Sequence, residues 1–459
     1  MNNLRINIID LKNKYPERFG RFIMALKNLE DSDDWYRICG IHGNTFKPND
    51  PGVLCPTDTE TVTKIAETGE PVYCKHSVYS FIAWHTPYLY QFELLLNKYN
   101  KPLKDEDDYY ITLPYIDLTD FSQDFSFMND PLITVFYNKR KITVENPLAS
   151  AYYYVNGVKT KTTRCGFLSP RNKNERSQLK TIKKQLNNTL YALNYEQFSS
   201  KPVNYTMKNE IVDYVPLETP HNQLHDIIGG TGGNMSDISI SAFDPIFWLH
   251  HCNMDRHFYS WLYYNTNHFH KSIYPDKMLE KTFKSTGAPF SKKYIYSKDY
   301  NSYNYGWENS EMEFMQVKDM LQFNKVPYSY EIIKPTPKEE IKAFIELKDI
   351  PIPRESMTIN AYIYLKSEEL NKSIHFCGST TWFGINRNKQ KCNRCEVTRT
   401  NMKIDIYDFI ILNKINKSTI DQYNLVIEGE GKLIKSLENY KIYDKKEIIQ
   451  DGSLELIIV

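Results

Sequence analysis

The sequence predicts a mainly α first domain followed by a small all-β C-terminal domain, and three observations predict it. Capped helical patterns dominate the first two thirds of the chain, most clearly between His221 and Arg256. A charged, proline-bearing stretch, KPTPKEEIKAFIELKDIPIPRE, then changes the composition between Ile332 and Glu355 and reads as a linker. From Ser356 the pattern alternates with period two in TINAYIYL, IHFCGSTTWFGI, MKIDIYDFIIL, YNLVIEGEG and LELIIV, as in a small sandwich or barrel. The expected units are 1–331, a linker at 332–355, and 356–459.

A helix is expected from Tyr15 to Leu29 and a second from about Asp33. Gly43 would end the second in the left-handed C-terminal position, leaving His42 in its last turn. A long loop rich in Pro, Gly, Asp and Thr follows, and long ordered loops tend to be functional. Cys74, His76 and His85 then precede an amphipathic helix opened by Thr86 and Pro87 and running to about Lys98. After LPYIDL (Leu113 to Leu118) come short strand-like runs, then a helix from about Glu175 to Phe198. Pro220 suits the first turn of a helix on which His221 and His225 stand i and i+4, stacked on one face. Past the Gly-rich turn GGTGGN, Asp244 is an N-cap with Pro245 at the first helical position, which puts His251 about two turns in. Tyr303 to Tyr330 closes the domain with few regular signals.

The charge balance narrows the function. With 57 Lys and Arg against 56 Asp and Glu, the net charge of +1 leaves no footprint of a nucleic-acid binder, so small uncharged partners are expected. The N-terminus lacks the pattern of a secretory signal, and no stretch approaches the apolar length of a membrane span, so a cytoplasmic location is expected. The eight cysteines should then be mostly reduced and call for a chemical reason.

Six of the eleven histidines fall into two sets of three, His42, His76 and His85, and His221, His225 and His251. Imidazoles without carboxylates at ligand spacing favour a borderline metal that binds nitrogen. Copper or zinc fits, whereas iron or manganese pairs would bring Glu or Asp ligands. His250, His257, His268, His270 and His375 lack partners at metal spacing, His250 being placed to act behind a ligand.

The phrases CGIHG, YCKHS, WHTPY, LPYIDL, HNQLH and FDPIFWLHHCNMDR together resemble the two copper-binding signatures of type 3 copper proteins, the tyrosinases and catechol oxidases, and among them the fungal type. Tyr328-Ser-Tyr330 is similar to the Tyr-x-Tyr motif that closes the family's catalytic domain, while LPYIDL lacks two tryptophans the family usually carries there. The resemblance implies a helical bundle around a dinuclear copper centre, one ion on His42, His76 and His85 and the other on His221, His225 and His251. It implies a reaction in which dioxygen is co-substrate, monophenols are hydroxylated and o-diphenols become o-quinones, a chemistry associated with melanin biosynthesis.

It also implies roles for single residues. Cys74 would be joined to His76 by a thioether, and Phe81 and Phe247 would flank the coppers. Glu218 and Asn222 would hold a water near the second copper, Ile238 would gate it, and Asp226 matches a variable position after a ligand. Asp255, i+4 from His251, could accept an N–H from a ligand imidazole or pair with an arginine. In the C-terminal domain Cys392 and Cys395 resemble a copper-loading pair, and Phe383 would enter the pocket as a substrate mimic. The chain would then be latent, a zymogen opened by cutting between Ile332 and Glu355. The competing expectations are an oxygen carrier of the haemocyanin kind, a catechol oxidase without monophenol hydroxylation, and a zinc-binding helical bundle.

Overall fold

The computed structural model describes residues 3–43, 74, 76, 78–101, 110–155, 158–200, 215–267, 286–291, 314–320, 326–336, 343–351, 357–365, 367, 375–382, 399–406, 409, 423–429 and 453–458. Helices dominate up to residue 267: α1 (Ile8–Lys14), α2 (Pro16–Glu30), α3 (Asp33–Gly43), α4 (Phe81–Tyr99), α5 (Lys173–Thr189), α6 (Tyr195–Ser199), α7 (Glu218–Gly229) and α8 (Pro245–Asn267). Between them lie the hairpins β2 (Leu132–Tyr137) with β3 (Arg140–Glu145), and β4 (Tyr152–Val155) with β5 (Val158–Lys161). Also among the described residues, β6 (Thr286–Ser291) pairs with β7 (Phe314–Gln316).

Three boundaries differ from expectation, each for a physical reason. Helix α4 begins at Phe81, more than a turn before Thr86, and carries Pro87 inside it. Its residues from Phe81 to Leu96 are all buried, so packing outweighs the missing N–H. The helix expected from Glu175 to Phe198 is two helices. Asn194 breaks it by capping α6, its side chain accepting from Gln197 N at 2.9 Å. Gly43 ends α3 but is not left-handed; the positive-φ glycines among the described residues are Gly230 and Gly232. What Gly43 provides is room, since a Cβ there would lie 1.8 Å from the Ser239 carbonyl oxygen.

Helix α8 starts as its capping signal predicts, with the Asp244 carboxylate accepting from Ile246 N at 2.9 Å and pairing with Arg164 at 2.8 Å. α4 and α8 pack together in the core, where Trp248 stacks on Phe92 at 3.8 Å and 8°. A buried polar knot ties the two helices to both ends of the helical part. Strand β1 (Leu4–Arg5) runs parallel to β8 (Ser329–Tyr330), which brings Arg5 to Tyr330. Arg5, fully buried, pairs with Glu93 of α4 at 2.7 Å and Asp255 of α8 at 3.2 Å, and donates to the Tyr330 hydroxyl at 2.7 Å. Its guanidinium also lies 3.5 Å over the Tyr328 ring. Two buried carboxylates are thus held by one bidentate cation and its hydroxyl neighbour.

The C-terminal part forms two three-stranded antiparallel sheets. One has the order β11 (His375–Trp382), β10 (Met357–Leu365), β13 (Tyr423–Gly429), and the other β12 (Arg399–Asp405), β9 (Ala343–Pro351), β14 (Ser453–Ile458). They meet closely at Gly378, where a Cβ would come within 2.3 Å of the Asp405 carbonyl oxygen. The central strand β9 lies inside the stretch expected as linker, 332–355. Its alternation was disguised by charge: Ile345 is buried, while Glu346 and Lys348 give the segment a linker's composition. β11 rests against α7, and Gln223 Nε2 donates to the Ser379 carbonyl at 3.4 Å. Lys184 of α5 also meets Asp405 at 3.6 Å, both side chains nearly inaccessible.

Candidate metal centre

Helices α7 and α8 bring His221, His225 and His251 to one point. On α7 the i, i+4 spacing stacks the first two with ring centres 4.5 Å apart. His251 faces them from α8, its Nε2 lying 3.1 Å from His221 Nε2 and 3.0 Å from His225 Nε2. The tautomers are set from behind. His225 Nδ1–H donates to the Met235 carbonyl at 2.8 Å and His221 Nδ1–H to the Asn222 amide oxygen at 2.8 Å, so both present the Nε2 lone pair forward. A proton on His251 Nε2 would satisfy only one of these two neighbours, and His251 Nδ1 is buried with no hydrogen-bond partner among the described residues. One cation would satisfy all three nitrogens, and two ligands about 2.0 Å from a tetrahedral metal stand about 3.3 Å apart, close to the observed spacing.

His42, His76 and His85 assemble beside them from the last turn of α3, the segment around Cys74, and the first turn of α4. Their ring centres are 5.8 Å apart in all three pairs. His42 Nδ1–H donates to the Ile238 carbonyl at 2.9 Å and His85 Nδ1–H to the Phe81 carbonyl at 2.8 Å, again turning Nε2 inward. The Cys74 sulfur lies among the three imidazoles, 3.0 Å from His42 Nε2, 3.7 Å from His85 Nε2 and 3.2 Å from His76 Nδ1. The two sets are neighbours: His85 stacks on His251 at 4.5 Å, and His76 lies 5.7 Å from His221.

Burial keeps these imidazoles neutral and their lone pairs available. Loss of solvation, helped by neighbouring imidazoles, holds His42, His76, His221, His225 and His251 well below the usual histidine range, and burial lowers His85 to about 4. Two closely spaced sets of inward-facing, neutral nitrogen donors suit a pair of borderline metal ions. Residues 32–264, just over half of the 459, match the family model described as the common central domain of tyrosinase. The chain belongs to the tyrosinase family.

A tyrosinase of Neurospora crassa is 28% identical over an alignment of 384 positions that covers 71% of this chain and 52% of that protein. One from Podospora anserina is 29% identical over an alignment of 329 positions that covers 62% of this chain and 54% of that protein. The chain thus spans about half the length of these relatives. In fold it is similar to a tyrosinase from Burkholderia thailandensis, with a TM-score of 0.69 at 16% identity, over 99% of this chain and 100% of that one. The dinuclear copper centre that the tyrosinase family implies fits the two histidine sets.

Other residues singled out in the sequence fall around this tyrosinase-type centre. Phe81 lies 4.7 Å from His221 and 5.0 Å from His85, and Phe247 lies 4.1 Å from His251 and 4.8 Å from His42, so each ring touches both sets. His250 stacks on His221 at 5.2 Å and 18°, and a ring nitrogen of it lies within 4.8 Å of those of His221, His225 and His251. Ile238 is buried and contributes its carbonyl to His42. Asp226 sits half-buried in α7, where its carbonyl accepts from Gly230 N at 2.7 Å. Asp255 follows its arginine alternative: besides Arg5 it accepts from Thr86 Oγ1 at 2.7 Å and from Tyr330 at 2.8 Å. Glu218 opens α7, buried, with Oε2 accepting from Ser200 Oγ. Phe383, Cys392 and Cys395 lie outside the described residues. Sequence reasoning missed Arg5 and Ser200, because neither has a local pattern that announces a partner so far along the chain.

Proposed function

We propose that the chain is an oxygen-dependent phenol oxidase that holds one copper on His42, His76 and His85 and a second on His221, His225 and His251. The observation that carries this reading is that His251 Nε2 lies within 3.1 Å of both His221 Nε2 and His225 Nε2. When bound, the copper pair supplies the two-electron exchange with dioxygen. The protein's own part is orientation, shielding and proton handling. A monophenol has a pKa of about 10 and must lose its proton on reaching the metal. Glu218 takes that proton, directly or through one water. Asn222 holds His221 in the tautomer that keeps its lone pair forward. In the test, Glu218→Gln slows monophenol hydroxylation more than diphenol oxidation, because catechols are more acidic; equal loss on both substrates removes the role. No turnover of either substrate by the copper-loaded, protease-treated chain, with reversible oxygen binding, would point to a carrier.

Cys74 is read as the thioether partner of His76, supported by its sulfur lying beside that ring. The bond would make the intact mass two hydrogens lower than the sequence mass, and an unmodified mass in active protein argues against it. The C-terminal β unit is read as a shield that makes the full chain latent. Its support is the seat of β11 on α7, at Gln223 between two of the histidines, with Phe383 following that strand. Cys392 and Cys395 would load copper, two soft thiolates suiting the cuprous ion. Catechol turnover before and after limited proteolysis ahead of β9 tests latency. Full activity of the uncut chain removes it, and an unchanged latent state in Phe383→Gly clears that residue.

A further inference from the structure

Helices α4 and α8 each carry a ligand of a different histidine set, and a buried side-chain hydrogen bond joins the two helices beside those ligands. Thr86, the residue after His85, donates from Oγ1 to Asp255 Oδ1 at 2.7 Å, and Asp255 stands one turn after His251. Both partners are buried. The ring of His85 lies against that of His251 at 4.5 Å and 21°, so the two sets touch at the same place. Stacked rings resist compression but tolerate offset. The hydrogen bond supplies what the stack does not, a fixed position of one helix along the other.

Two further features give this bond its leverage. On the far side of the carboxylate, Asp255 Oδ2 accepts from Arg5 Nη1 at 3.2 Å and from the Tyr330 hydroxyl at 2.8 Å, which holds the group with Oδ1 turned to Thr86. Pro87 comes next in α4 and has no N–H to give the Ala83 carbonyl, so the turn that carries His85 lacks one of the bonds that stiffen a helix. Helix α4 is weakened where its ligand stands, and Thr86 ties it there.

We infer that Thr86 is a positioning residue that sets the spacing of the two metal sites, by tying the turn of His85 to the turn after His251. Its hydroxyl has one hydrogen, and Asp255 takes it. A reaction that uses both ions on one dioxygen depends on their separation, and a misplacement of about 1 Å costs roughly a hundredfold in rate. The inference rests on the reading that places one copper on each set, and the test separates the two.

The experiment uses the full chain loaded with cupric copper. Copper content, spin quantitation by electron paramagnetic resonance, and catechol turnover after one fixed proteolytic treatment are measured on the same preparation. Two cupric ions close enough to share a bridging oxygen couple their spins and give little signal, whereas ions held apart give a signal in proportion to the copper. The unsubstituted chain should be nearly silent. Thr86→Val, which exchanges the hydroxyl for a methyl group, should keep the full copper content, gain a copper signal and lose roughly tenfold or more in turnover. Thr86→Ser keeps the hydroxyl and should restore both the silence and the turnover. Tyr330→Phe removes a donor from the other oxygen of the same carboxylate, and it should lower the unfolding midpoint while the spins stay coupled. A silent, fully loaded Thr86→Val, no rescue by serine, an equal signal in Tyr330→Phe, or loss of copper from Thr86→Val would each overturn the positioning role. If the unsubstituted chain itself fails to take up a coupled pair, the reading of one copper on each set fails and takes this inference with it.

Discussion

The two histidine sets reach similar ends by different construction. In the second set, two imidazoles come from a single helix at i, i+4 and the third from the facing helix α8, so helices impose the geometry and His251 Nε2 lies within 3.1 Å of the other two Nε2 atoms. In the first set, each imidazole comes from a different segment, and the Cys74 sulfur sits among them. The difference teaches that the second set is fixed by two packed helices, whereas the first is assembled from three separate segments of the chain.

The largest expected effect comes from His251→Ala, which removes the nitrogen common to both short contacts of the second set. Metal analysis should find that set empty and phenol turnover abolished; His250→Ala should leave copper in place, and the reverse pattern would exchange the roles of these neighbours.

Next in size is Arg5→Ala. It strips the cation from Glu93 and Asp255, which link the helix of His85 to the helix of His251. Breaking such a buried pairing costs about 3–5 kcal/mol, read as a lower midpoint in denaturant unfolding. A change within about 0.5 kcal/mol, the size of an ordinary surface substitution, would mean that the knot does not tie the halves together.

Asn222→Leu sharpens the contrast further. His42, His85 and His225 donate to backbone carbonyls, whereas His221 donates to a side chain. Copper in the second set should weaken by about 10–100-fold while the first set keeps its ion, as competition with a chelator would report.

A further effect is on the metal-free chain. Its imidazoles bind protons less readily folded than unfolded, because burial lowers their pKa values. Their contribution to stability is therefore complete above the unfolded value of about 6.5 and is lost as pH falls through the folded values. The thermal midpoint of metal-free protein should fall on acidification below about 6.5. A flat midpoint would contradict the neutral, buried state of both sets.

What was legible in the sequence follows the same division. The α7–α8 half could be read locally, from the i, i+4 histidines, the Asp244 cap and Pro245, and the structure carries each of these through. The family resemblance and the helical first part with small β sheets after it are likewise borne out. Misread were features decided by distant packing. Pro87 does not open α4, because burial of Phe81 and its neighbours extends that helix. Asp255 answers to Arg5, 250 residues away, and not to an imidazole one turn behind it. β9 hid behind its charges until its two neighbouring strands, distant in sequence, paired with it.

The most direct measurement is copper content by metal analysis after loading the full chain, alongside His42→Ala and His251→Ala. About two copper ions per chain are predicted for the unsubstituted protein and about one for each variant, since each substitution empties one set and leaves the other's ligands in place. An unsubstituted chain that saturates with one copper or none would contradict the assignment of one ion to each set.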